Sequence, residues 1–133
     1  MARKSRTRTV PTSRGKLRSM RVTDGFRAFV LEQLADLESV RARAMFGGIG
    51  LYAGDVFFGL VAGDALYLKV DDSNRHQYET EGMTAFQPYP GKPMTMSYYQ
   101  VPVRVLEDRD ELTVWARASV HVATRARSRK TRH

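Results

Sequence analysis

The sequence predicts an α+β fold, a two-layer domain in which helices pack on a five-stranded antiparallel sheet. Three observations lead there. Apolar residues recur at helical spacing near both ends of residues 21–124, while the stretch between changes to short segments rich in Val, Phe, Tyr and Leu. Gly54-Asp55 and Gly63-Asp64 separate three of those segments, and each pair suits a two-residue hairpin with glycine first. Asp108 and Asp110 precede the last apolar stripe, where acids complement the positive end of a helix dipole. The expected order is α-β-β-β-α-β-β-α.

The first helix opens at Thr23 or Asp24, either of which can accept from a free first-turn amide, and Phe26, Phe29, Val30, Leu34 and Leu37 form its apolar stripe. From Gly48, the segments "GIGLYA", "VFFGLVA" and "ALYLKV" read as a three-stranded meander. Alternation in the second of these sends Val56, Phe58 and Leu60 one way and Phe57 and Val61 the other. "DDSNRHQYETEG" is a short helix with Asp72 or Ser73 as N-cap and Gly82 just beyond its end. "TAFQPY" and "MTMSYYQVP" flank Pro90-Gly91, a pair favoured at the centre of a type II turn, and make a second hairpin. The last helix carries Leu112, Trp115, Ala116, Ser119, Val122 and Ala123 as its stripe. Both stripes need an apolar layer to bury against, so the first and last helices are expected on one face of the sheet.

A chain of 133 residues without cysteine holds one modest core and has no disulfides, Cys-ligated metal or thiol chemistry. Its net charge of +8 is unevenly spread. Arg3, Lys4, Arg6, Arg8, Arg14, Lys16 and Arg18 lie in a basic N-terminal tail, residues 1–20, too poor in large apolar groups to offset ordering entropy and expected to be disordered. Arg125, Arg127, Arg129, Lys130 and Arg132 lie in a second basic tail, residues 125–133, whose start can continue the last helix. All 14 acids fall between the tails against the other ten Lys and Arg, a net of −4 for the domain itself. No apolar run approaches a membrane span and no secretory h-region follows the basic N-terminus, so a cytoplasmic protein is expected.

Gly48, Gly50 and Ala53 match the G-x-G-x-x-G/A fingerprint of a dinucleotide-binding loop. Such a loop needs a following helix to hold the pyrophosphate on its N-terminal amides, and here strands and turns follow instead. The glycines are read as structural, permitting a bend, a bulge or close approach of packed groups. No cofactor is expected. His76, His121 and His133 share no metal-ligand spacing, and the acidic pairs stand at helix starts, where the dipole explains them. Ser97 lacks a visible base, and Lys69 reads as an outward strand lysine.

"RARAMFGGIGLY", "LYLKVDDSNR", "GKPMTMSYYQVP" and "LTVWARAS" together resemble the TfoX N-terminal domain family, found in the TfoX/Sxy regulators of natural competence, over roughly Val22 to Ala123. The resemblance implies an α+β domain of the order given above and a regulatory, non-enzymatic role. After Ala123 only a basic tail remains, so a stand-alone N-domain is expected, without the second domain of the full-length regulators.

These observations lead to a regulatory adaptor, acting by macromolecular binding in transcriptional control. With helices on one sheet face, Phe57, Val61, Tyr67, Lys69 and Tyr99 are left on the other, to be covered by the middle helix or a loop of the same chain or else to form the candidate surface for a protein partner or a second copy. The alternative is a nucleic-acid-associated protein whose twelve tail cations contact phosphates without sequence preference, and a third reading is an uncharacterised enzyme, for which no acid/base or metal constellation stands out.

Overall fold

The structure is a computed structural model that describes residues 21–45, 47–87 and 97–130. Helix α1 (Asp24–Gln33) is capped by Thr23, whose Oγ1 accepts from the Phe26 amide at 3.0 Å. Strands β1 (Val40–Met45), β2 (Gly48–Ala53), β3 (Val56–Ala62) and β4 (Ala65–Lys69) follow as a meander. Helix α2 (Arg75–Thr80) leads toward β5 (Tyr98–Gln100), and the short helix α3 (Val103–Leu106) precedes the long α4 (Arg109–Lys130). All five strands pair antiparallel in the spatial order β1-β2-β3-β4-β5. The α+β class and the five-stranded antiparallel sheet with helices are as the sequence predicts.

The membership of the sheet differs from the expectation at its two ends. Its first strand is Val40–Met45, a segment the expected order does not include among the strands. Ser39 turns the chain into it with φ 61°, its carbonyl accepts from the Gly54 amide at 2.9 Å, and Arg41 donates to the Gly54 carbonyl, so β1 is anchored on the β2–β3 turn. At the other end, residues 84–87, the described part of "TAFQPY", contribute a single bridge of Ala85 to Tyr99. They still run alongside β5, with the Phe86 amide donating to the Tyr98 carbonyl at 2.7 Å. Pro90-Gly91 lies outside the described residues.

The two glycine-led hairpins form as predicted, with φ 62° at Gly54 and 61° at Gly63. The N-cap of α2 is Asn74 rather than Asp72 or Ser73. Asp71 instead closes a turn of its own, Oδ1 accepting from the Ser73 amide at 2.8 Å and the Ser73 hydroxyl at 2.6 Å.

The main core lies between one sheet face and the helices. Val30, Leu34 and Leu37 from the first helical segment, Leu112, Trp115 and Ala116 from α4, and Val105 and Leu106 from α3 meet Leu51, Phe58, Val61, Leu66 and Leu68 of the sheet. The predicted α4 stripe is buried in full, including Ser119, whose hydroxyl donates to the Lys69 carbonyl at 2.7 Å. Phe29 departs from its stripe: α1 ends at Gln33, and the ring is 36% exposed against Phe26 at 6.2 Å. Tyr78 of α2, fully buried, packs edge-on to Trp115 with ring centroids 4.7 Å apart. From this first segment Val30, Leu34 and Leu37 are buried, with Val22, Phe26 and Leu31 packed at the edge of the core, so α4 supplies most of the cover.

Candidate functional site

The sheet face away from the helices follows from the register. Arg41, Arg43 and Met45 of β1 stand opposite Tyr52, Gly50 and Gly48 of β2. Tyr52 pairs with Phe57 and Gly50 with Leu60, while Leu60 and Lys69 pair with Tyr67 and Tyr98 respectively. These strand residues include three cations and no carboxylate. Around the first glycines the crowding is severe: a Cβ at Gly50 would lie 2.9 Å from Met45 Cε and 3.1 Å from Phe57 Cε1. The G-x-G element therefore lets Met45 and Phe57 close over the sheet, and the strand, not a helix, that follows it confirms a structural role.

The rings form a second apolar cluster. Phe57 lies 5.2 Å from Tyr52 and 5.6 Å from Tyr98, and Tyr67 lies 4.8 Å from Phe86, centroid to centroid. Leu60, Phe86 and Tyr98 are buried at its centre, while Tyr52, Phe57 and Tyr67 stay half-buried. Cations border the rings: the Arg41 and Arg43 guanidiniums each sit 5.9 Å from the Tyr52 centroid, and Lys69 Nζ sits 5.0 Å from that of Tyr98. Burial pushes the Tyr98 phenol up to about 12, with Tyr52 adding to the shift. The ring stays neutral at physiological pH and strengthens the apolar centre.

Two of the five residues expected on this surface lie elsewhere. β3 carries an extra residue, Phe58, between Gly59, which pairs with Leu51, and Phe57, which pairs with Tyr52. This bulge reverses the alternation beyond it. Leu60 consequently turns to the open face, and Val61, 1% exposed, enters the main core. The two neighbouring tyrosines also exchange: Tyr98 pairs with Lys69 on the open side, whereas Tyr99 pairs with Leu68 and packs against Tyr78 at 5.8 Å under the helices. Phe57, Tyr67 and Lys69 are on the open face, Lys69 donating to Ser97 Oγ at 2.8 Å. Arg41, Arg43, Leu60, Tyr98 and Phe86 were missed. The Arg-Ala-Arg-Ala alternation of residues 41–44 was the available signal for the first two.

The C-terminal cations are partly engaged by the domain. α4 runs through Lys130, so Arg125, Arg127 and Arg129 ride on a helix. Arg125 donates to Asp71 Oδ2 at 3.2 Å and Ser73 Oγ at 3.0 Å, and Arg127 reaches Asp55 Oδ1 at 3.0 Å. The Ser73 hydroxyl and amide, with Arg125, hold the Asp71 carboxyl below its usual range; the hydrogen bond from Arg127 does the same for Asp55. Arg3, Lys4, Arg6, Arg8, Arg14, Lys16, Arg18 and Arg132 lie outside the described residues.

Of the remaining candidates, His76 and His121 are exposed. Asp108 Oδ1 accepts from the Glu111 amide at 3.1 Å and Glu111 pairs with Arg104, which accounts for that acidic cluster. No group of three potential metal-binding side chains occurs among the described residues, and none of their helices is long and apolar enough to cross a membrane.

The family model described as the TfoX N-terminal domain matches residues 32–123. No curated protein matches the chain. The matched span begins within α1 and ends within α4, and it takes in the whole sheet.

Proposed function

The chain belongs to the TfoX N-terminal domain family, and from that premise we propose that it is a regulatory, non-enzymatic binding domain that acts in transcriptional control by engaging another macromolecule. The observation that carries the reading is the open sheet face. It sets Arg41, Arg43 and Lys69 around the half-buried rings of Tyr52, Phe57 and Tyr67, with no carboxylate among the strand residues. Partly exposed aromatic rings with arginine at their border are the composition of interface anchors. The regulatory type of the family supports the same conclusion.

A deletion strain complemented with wild-type protein or with the Arg41→Glu/Arg43→Glu variant tests it by transcript profiling. Deletion should alter a defined set of transcripts, restored by wild type and not by the variant at equal protein level. An unchanged profile on deletion would refute the regulatory role. Full rescue by the variant would remove the face from it.

A further inference from the structure

A different surface carries a binding site of its own. The C-terminal half of α4 runs past the loop that joins β4 to α2, and a cleft of about 640 Å³ opens between them. Arg125 and Arg129 stand one helical turn apart on its helix wall, with Val122 and Ala126 beside them. Arg75 and Lys69 line the opposite side, so four cations face two carboxylates, Asp71 and Asp72.

The carboxylates do not exhaust these cations. Asp72 pairs with Arg75 through a single guanidinium nitrogen, Nη1. Asp71 spends Oδ1 on Ser73 and meets Arg125 only through Nη2, which also donates to Ser73 Oγ. The remaining guanidinium edge of Arg125, its Nε and Nη1, makes no hydrogen bond or ion pair among the described residues. Arg129 is exposed and makes no hydrogen bond or ion pair among them either. Like charges at i and i+4 repel. Two arginines held in that relation over a cleft, one of them pinned by Asp71 and Ser73, are arranged to share an anion.

We infer that this cleft binds a phosphate group, with Arg125 and Arg129 donating to its oxygens and Ser73 orienting Arg125. Arg125 and Arg129 both keep guanidinium N–H groups unspent, which suits a phosphate whether it carries about −1 as a backbone diester or about −1.5 to −2 as a monoester near neutral pH. Planar guanidiniums suit its oxygens. The phosphate can belong to a nucleic-acid backbone or to a free phosphate or nucleotide. The site stands independently of the sheet-face reading, since its two arginines lie on the helix layer and Lys69 alone touches both surfaces.

The test is NMR titration of the ¹⁵N-labelled full-length chain at constant ionic strength, following the Ser73 amide and the Arg125 and Arg129 Nε–H signals. Inorganic phosphate, a nucleoside monophosphate and a short DNA duplex are the three probes. Saturable shifts at these signals are expected with at least one, and the probe that saturates first identifies the source. Arg129→Gln, which breaks no described contact, should weaken that binding about tenfold, the loss of one charge-assisted contact. If the duplex is the ligand, Arg125→Gln/Arg129→Gln should also reduce the salt slope of log affinity by about 0.9, the value for the one phosphate the two arginines share. Shifts that never saturate with any probe, or saturate equally in Arg129→Gln, would overturn the site.

Discussion

Adding one methyl group at each of two sheet glycines should have very different effects. Neither Gly50 nor Gly59 has φ in the left-handed region, so alanine is allowed by the backbone and packing alone decides. At Gly59 a Cβ would lie 2.9 Å from the Tyr67 carbonyl oxygen and 2.9 Å from Leu68 Cδ2, with Leu51 Cδ1 behind it at 3.7 Å. The carbonyl belongs to the neighbouring strand and cannot retreat without opening the β3–β4 ladder. Overpacking of this kind costs about 1–3 kcal/mol, and an immovable backbone atom puts Gly59→Ala at the upper end. At Gly50 the nearest atoms are the end of the Met45 side chain, at 2.9 and 3.0 Å, and a Phe57 ring edge at 3.1 Å. Methionine has three rotatable bonds and can swing clear. Alanine also restricts the unfolded chain, which stabilises by about 0.4–1 kcal/mol at either site. Gly50→Ala should therefore stay within about 1 kcal/mol of wild type, and Gly59→Ala should fall roughly 2–2.6 kcal/mol below it. Urea unfolding followed by Trp115 fluorescence measures both. Equal stability for the two variants, or a larger loss at Gly50, would refute the packing argument.

Two core rings and one loop carboxylate give further expectations. Trp115→Ala should destabilise by about 3–5 kcal/mol, read by urea unfolding followed by circular dichroism, because the indole is 6% exposed and wedged against Tyr78. Tyr78→Phe should stay within about 1 kcal/mol of wild type in the same assay, since the buried hydroxyl lies beside Ser119 and Gln77 without a well-formed hydrogen bond to either; a larger loss would mean that it is paired. Asp71 has its folded pKa depressed below 3.8, so its contribution is present above that pH and lost as pH falls through the folded value. Wild type should accordingly exceed Asp71→Asn in urea midpoint near neutrality, and the gap should close in the acid range below 3.8.

What could be read from the residues depended on how local each signal was. The Gly54 and Gly63 turns and the α4 stripe, from Leu112 to Ala123, are set by neighbours in sequence, and they form as predicted. The bulge at Phe58 depends on how β2 lies against β3, and "VFFGLVA" carries no mark of it. Parity counting therefore placed Val61 and Leu60 on the wrong faces. Tyr98 and Tyr99 sit in a strand of three residues, where parity is set by pairing with Lys69 and Leu68 rather than by any pattern of its own. β1 escaped because its arginines alternate with alanine, which gives a weak apolar signal at a sheet edge; charged edge strands are also what discourages unwanted pairing. The cleft was invisible for a simpler reason: Arg125 and Asp71 are 54 positions apart.

The open sheet face is tested most directly by photo-crosslinking in the native host, with p-benzoylphenylalanine placed at Tyr52 or, as the control, at Val114. Tyr52 lies on that face between Arg41, Arg43 and Phe57, whereas Val114 projects from α4 and is 64% exposed. A discrete macromolecular adduct from position 52, absent from position 114 and abolished by Arg41→Glu/Arg43→Glu, is the predicted result. An adduct from position 114 alone, or none from either, would contradict the assignment of that face as the binding surface.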